Sequence, residues 1–452
     1  MQQAVQTAPE VEPSAPIVAE AAPAWNQLQR IAFRFVAAYF ILYNLPSPGH
    51  ADLLRSIPGG AWVFGPYVKM WRALVPWVAI HVFHLSGPVT VYPAVNGSGD
   101  STLDYVQNFC FVVIAALAAL VWSILDRKRP NYQRMNYWVR LWVRYSLAVT
   151  LFSYGFAKVF PLQFRPPGFG RLISTYGDSS PMGILWTFMG ASVAYTIFSG
   201  AMEVIGGALL LWRRTATIGA FFSAAVMTNV FVLNMCYDVP VKLYSGNLLL
   251  MAIFLMAPEL GRLGRFMILR KPTDPPPLDT PNFGRKWMRI AAVAVQVLFV
   301  GWVLYNNISG GWQAYRNIGS APKGPLYGVY DVETFTQSGQ ERPPLLTDAS
   351  RWKKVLVQGP TNFAIRTMND AAQGFGSEYD EAQHKLSVFP FGDKSKKSQF
   401  TYTQPDADHV ILEGALPGGG PSLLVKLKRV DVSKFLLTNR GFRWINERPF
   451  NR

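Results

Sequence analysis

The sequence predicts a polytopic α-helical membrane bundle of about seven spans, followed by a small antiparallel β-sandwich or barrel. Three observations carry this expectation. Half of the 452 residues are hydrophobic and only 15% are charged, against roughly a quarter charged in a soluble globular domain. The shortfall of charge falls in discrete apolar runs, as membrane helices require. Of the net charge of +16, residues 314–452 hold +5 and the rest +11, gathered largely in loops between the apolar runs, where the positive-inside rule places it, so a nucleic-acid partner need not be invoked. From about Trp312 the long apolar runs give way to short alternating ones.

The elements follow in order. Residues 1–24 contain Glu10, Glu12 and Glu20 and no basic residue. A cleavable signal peptide has a basic start and a short apolar run, and neither is here, so the stretch reads as a disordered tail. The helical domain is expected over residues 25–311. Its first span, 28–44, contains Arg30 and Arg34, which are expected to snorkel to the headgroups. Residues 60–85 are apolar but interrupted by Pro66 and Pro76 and dotted with Trp62, Trp71 and Trp77. That pattern suits an interfacial or re-entrant helix better than a clean span. Further spans are expected near 105–125, 138–160, 184–212, 216–235, 242–258 and 288–308, with a Pro-rich, non-helical linker at 272–283 before the last.

Basic residues set the expected orientation. Arg127, Lys128, Arg129 and Arg134 share one loop, Arg213 and Arg214 lie two spans later, and Arg262, Arg265, Arg270, Lys271, Arg285 and Lys286 two spans after that. These alternate loops belong on one side, the cytoplasmic one. An odd span count then puts the amino terminus in the cytoplasm and residues 312–452 on the outer side. The latter region reads as strands: VYDVETFT, KKVLVQ, NFAIRTM, HKLSVFPF, QFTYTQ, HVILEGA and SLLVKLKRV are short β-branched and aromatic runs between turn residues. The GGG at 418–420 is expected to be a hairpin turn, and the closing RGFRWINERPFNR to complete the sheet.

Ionised groups at bilayer depth cost at least about 2.5–3.5 kcal/mol each, so each needs a partner or a purpose. Glu203 lies centrally in the 184–212 span, with Gly200, Gly206 and Gly207 beside it to admit a neighbouring helix. Lys158 lies near the outer end of its span with Tyr154 one turn earlier. Two readings stay open for it: snorkelling to the headgroups, or an ion pair with Glu203 that joins two helices. Asn229, Asn234, Asp238 and Lys242 form a third group. Asp238 and Lys242 either close a tight outer turn as a salt bridge or, with Arg165 and Arg171, line a polar pocket for an anionic or quinone-like small molecule. The expected pocket comprises Tyr154, Lys158, Arg165, Glu203, Asn229, Asn234, Asp238 and Lys242.

No catalytic residue is assigned. Cys110 and Cys236 make neither a disulfide framework nor a CxxC pair. His81 and His84 stand at i, i+3, where an aromatic-belt role outweighs ligation, so no metal or haem site is expected. Nucleotide and hydrolase motifs are absent. Electrons, if they move, would pass through a bound quinone or a partner protein.

The stretch from Tyr154 to Met251 resembles the DoxX-like membrane proteins of bacteria. The resemblance rests on FAK (Phe156–Lys158), GxxExxGG (Gly200–Gly207) followed by LLLWRR, and NLLLM (Asn247–Met251). It implies a bacterial inner membrane, with residues 312–452 periplasmic or extracellular. It also implies work in or beside a membrane redox or envelope-stress system, with a quinone-linked or oxidoreductase partner, and Lys158 and Glu203 as the family-type polar positions. The early spans and the β-domain depart from that family's short four-helix form. A weaker similarity is to the membrane domain of vitamin K-dependent carboxylases, although no catalytic lysine motif is evident. A transporter or small-molecule binder and a membrane-anchored assembly scaffold complete the alternatives.

Overall fold

The computed structural model describes residues 24–46, 54, 57, 59–87, 89, 97–273 and 285–451. All but the last residue of the expected tail and most of the expected linker at 272–283 lie outside these. The amino-terminal part is helical: α1 (Gln27–Tyr43), α2 (Gly60–Val63), α3 (Gly65–His81), α4 (Thr102–Leu125), α5 (Gln133–Val159), α6 (Phe169–Leu172), α7 (Pro181–Ala191), α8 (Val193–Leu211), α9 (Ala216–Cys236), α10 (Lys242–Met256), α11 (Leu260–Met267) and α12 (Lys286–Gly319). Among the described residues, five helical stretches are long and apolar enough to cross a membrane: Thr102–Leu125, Val193–Leu211, Ala216–Cys236, Lys242–Met267 and Lys286–Gly319. Of the other expected spans, α1 has only 17 residues, and α5 carries Arg134, Arg140, Arg144 and Lys158 along its length.

The expected span at 184–212 is two helices. Ser192 ends α7 with extended backbone, and its hydroxyl accepts from Tyr195 N at 3.3 Å to cap α8. Thr196 Oγ1 donates to Met189 O at 2.7 Å across the break. Local side-chain hydrogen bonds here replace the helix ladder.

The chain divides into two compact units, 1–96 with 101–146, and 97–100 with 147–452. In the first, α1 packs on α4. Arg34 does not snorkel: it is buried and donates to the Tyr132 hydroxyl (2.7 and 3.0 Å), Ser123 Oγ (2.8 Å) and Asp126 O (2.9 Å). Arg30 donates to the carbonyls of Arg127 and Arg129, which follow the end of α4. Both guanidiniums thus serve backbone and hydroxyl acceptors some ninety residues away, a use that helical spacing alone does not reveal. His81 stacks on the Trp77 ring at 4.8 Å.

In the second unit a remote loop caps α10. Asp100 accepts from the amides of Lys242 (2.8 Å) and Leu243 (2.9 Å), two of the donors that a helix start leaves unpaired. Helix α12 runs on to Gly319, past the expected boundary at 312, and the first strand begins at Gly328.

The carboxy-terminal part is an antiparallel barrel of eight strands, β1 (Gly328–Gln337), β3 (Trp352–Gly359), β4 (Asn362–Thr367), β5 (Ala372–Asp380), β6 (Lys385–Phe389), β7 (Ser398–Thr403), β8 (His409–Gly414) and β9 (Leu423–Arg429), with the two-residue β2 (Gln340–Glu341) beside β1. Each strand pairs with the next in the chain. The ring closes where β1 meets β9, with Phe335 opposite Val425, and closure removes the exposed edges of an open sheet. Side chains alternate in and out along β9, and Tyr330, Phe335, Trp352, Phe363 and Phe400 fill the interior. Gly418 and Gly419 form the left-handed turn between β8 and β9. Strand β5 escapes the sequence reading because Gly374 and Gly376 weaken its pattern. A Cβ at Gly376 would lie 2.3 Å from the Phe389 ring, so glycine there makes room for an aromatic from β6. The carboxy-terminal stretch does not complete the sheet: β1 already pairs β9, and the described residues beyond β9 form a 3-10 turn (Val432–Lys434) and the short α13 (Leu436–Asn439). The barrel meets the segment around α6, where Phe169 packs with Val329 and Leu356 and Arg366 donates to Ile173 O.

Two predictions follow from these contacts. Replacing Asp100 with Ala should lower the stability of the detergent-solubilised protein by about 1 kcal/mol, the usual worth of a helix cap, read as a lower unfolding temperature. In the barrel, hydrogen bonds from Ser350 and Arg351 N, with Arg342, hold the Asp348 carboxyl down at about 2. A depressed carboxyl stabilises the fold above the unfolded value near 3.8 and loses that effect as pH falls toward 2. The destabilisation of Asp348→Asn, measured by unfolding across pH, should therefore be full at pH 6 and vanish near pH 2.

Candidate functional site

Two glycines fix the geometry of the site. A Cβ at Gly155 would lie 2.9 Å from Gly200 O, and one at Gly200 would lie 2.5 Å from Gly155 O and 2.7 Å from Lys158 Cβ. Helices α5 and α8 therefore touch backbone to backbone, as small residues permit in membrane bundles. Gly207 continues the seam against Ala148 and Phe152, and Gly206 faces Ser223 of α9.

That approach brings Lys158 onto Glu203. The ammonium donates to both carboxylate oxygens, at 2.8 Å and 3.0 Å, and to Tyr154 O at 3.4 Å. Both side chains are buried, at 7% and 2% exposure. Of the two sequence readings of Lys158, the structure shows the pair. The Tyr154 ring lies 5.6 Å and the Phe164 ring 6.0 Å from Nζ, and their faces complete the ammonium's surroundings.

A cavity of about 110 Å³ opens beside the pair. Phe164, Leu185, Met189 and Val239 form a buried apolar cluster along it. Polar groups enter at a few points: Tyr154, Gln163, Ser199, Asn229 and Asn234. Asn234 donates to Ser245 Oγ at 3.0 Å. The Gln163 side-chain oxygen is buried without a partner. An unpaired buried acceptor costs about 1–3 kcal/mol, so it marks a position that a donor would fill.

Five of the eight expected residues thus meet at one cavity: Tyr154, Lys158, Glu203, Asn229 and Asn234. Three do not. Arg165 is exposed, and its backbone carbonyl is pressed against Gly190. Asp238 and Lys242 form a salt bridge of 2.8 Å with the Asp238 side chain 84% exposed, the turn-closing reading of that pair. Gln163, Trp186, Tyr195 and Tyr244 also line the cavity, and sequence reasoning missed them. Only Gln163 carried a signal, as a lone amide in the apolar FPLQF that follows Lys158. Among the described residues no three His, Cys, Asp or Glu side chains cluster as metal ligands would.

Comparisons with known proteins add one relation. No family model matches the chain. Over 115 residues, 25% of this chain and 71% of the relative, it is 35% identical to the uncharacterized protein YwoB of Bacillus subtilis (strain 168). The chain belongs to the YwoB family. That relative is described as uncharacterized, so membership of the YwoB family brings no reaction with it. No solved structure matches.

The buried pair makes a stability prediction. Removing one partner leaves an uncompensated buried charge, so Lys158→Met or Glu203→Met alone should destabilise by about 3–5 kcal/mol. The double variant should be more stable than either single one. Unfolding of all four proteins in bicelles gives the cycle.

Proposed function

We propose that this YwoB-family chain is a polytopic inner-membrane protein, DoxX-like over Tyr154–Met251, whose cavity takes a quinone-like small molecule in or beside a membrane redox or envelope-stress system. About seven spans make up its helical domain: α1, α4, α5, α7 with α8, α9, α10 with α11, and α12. The amino terminus lies in the cytoplasm and the barrel on the periplasmic side, by the placement of basic loops.

The observation that carries this reading is the cavity beside the Lys158–Glu203 pair. It is largely apolar, with Tyr154, Gln163 and Asn229 at its polar points, the composition of a small-molecule site. Its volume of about 110 Å³ approaches that of an engineered protein cavity of about 150 Å³ that binds benzene. It therefore suits one six-membered ring, with any isoprenoid tail left to the lipid. The Tyr154 hydroxyl supplies a donor for a ring carbonyl, Lys158 stays paired with Glu203, and Glu203 supplies a place for a proton released by a ring hydroxyl. A quinone would supply two-electron chemistry that no side chain here can, with a partner protein as the other half of the couple.

Mass spectrometry of lipids and quinones co-purifying with the intact protein tests the reading. Enrichment over the bulk membrane is expected for the native chain, with at least a tenfold loss in Glu203→Gln. No enrichment in the native chain would overturn it. That outcome would favour the anchored-scaffold alternative, whereas equal enrichment in the variant would remove Glu203 from the binding site.

A further inference from the structure

The chain beyond β9 holds large apolar side chains out from the fold. Trp444 is 90% exposed, and Phe442 and Ile445 78% each, while Leu436 and Leu437 are about half exposed. Basic residues alternate with them: Lys434, Arg440, Arg443 and Arg448, against Glu447 as the one acidic group of 434–451. Arg440 lies over the Phe450 ring at 4.1 Å and donates to Asn446, which shapes the stretch into a local turn. Arg443 and Arg448 have no carboxylate partner among the described residues.

The position of this stretch says what it faces. Lys434, Phe435, Leu436 and Leu437 share a groove with Arg171, Tyr176, Ser179 and Thr187. Those residues belong to the segment that leads into α7 and to α7 itself, which starts at Pro181. On the membrane reading proposed above, the start of α7 is where chain enters the bilayer. The carboxy-terminal stretch is therefore held at headgroup level, and it has the Trp, Phe, Leu and Arg composition of a segment that lies in the interface.

We propose that residues 434–451 are an interfacial anchor that lays the base of the barrel on a bilayer containing anionic phospholipid. Phe442, Trp444 and Ile445 enter the acyl boundary, and Arg443 and Arg448 meet lipid phosphates, while Lys434 is paired with Asp431. Arg171, in the groove beside Lys434, adds a third cation. The basic excess of the stretch calls for an anionic surface, and its form favours lipid. An interleaved aromatic and basic stretch without a strand edge or a long helical face offers a protein little to pair with, whereas a fluid surface satisfies both kinds of side chain at once.

The test uses the full chain with Cys110 and Cys236 replaced by Ala and Trp444→Cys carrying a polarity-sensitive fluorophore, reconstituted in nanodiscs. Discs of phosphatidylcholine alone are compared with discs containing phosphatidylglycerol. Leu345→Cys, at an exposed loop position of the barrel, is the water-exposed reference. The expected result is a blue-shifted emission at 444, quenching by lipids spin-labelled near the headgroup, and at least twofold protection from iodide relative to 345, all stronger with the anionic lipid. Emission and iodide quenching equal to those of the reference in both discs would overturn the anchor, including when an added protein is what later covers the stretch. Failure of the chain to enter discs at all would overturn the membrane reading instead, which separates the two.

Discussion

Gly155 and Gly200 let two helices meet at their backbones, and the cavity architecture follows from that contact. A Cβ at Gly155 would lie 2.9 Å from Gly200 O, and one at Gly200 would lie 2.5 Å from Gly155 O, so a side chain at either position would force the backbones apart. A lone charge in a low-dielectric interior costs several kcal/mol. With glycine, the ammonium reaches both carboxylate oxygens, and each ion offsets the desolvation of the other. The pair in turn stands at the cavity, so the same contact that makes it tolerable also places it where a ligand can meet it.

The rest of the site is built around that seam from apolar material. The break at Ser192 divides one long apolar stretch into α7 and α8. Leu185 and Met189 of α7 can then turn onto the cavity beside Phe164 and Val239. The polar points are few and come from different elements: Tyr154 from α5, Gln163 from the segment after it, Asn229 from α9. Sparse, convergent polarity in an apolar pocket orients a ligand without demanding water.

The barrel solves a different problem by a related economy. An open sheet would present unpaired strand edges, and pairing β1 with β9 removes them. Its interior is filled with aromatic side chains, and glycines such as Gly376 stand where those rings need space. The docking of α6 against Val329 and Leu356 ties the barrel to the segment that feeds α7.

Much of this was legible in the residues themselves. A charge within an apolar run must be partnered, and that singled out Lys158 and Glu203. Alternation after residue 312 announced seven of the eight barrel strands, and the Gly418–Gly419 turn announced a hairpin. Other features were not legible, for one physical reason: they depend on partners far away in the chain. Arg34 looked like a headgroup anchor because its acceptors at Tyr132, Ser123 and Asp126 lie some ninety residues on. Arg165 shared a side with the pocket residues in the sequence, yet the fold leaves it exposed with its carbonyl against Gly190. Composition and periodicity determine which segments avoid water and which alternate, because those are properties of a segment alone. Which charges meet, where a cavity remains and which strands close a ring were decided only by the tertiary structure, because burial and hydrogen bonding belong to pairs of groups that the chain itself keeps far apart.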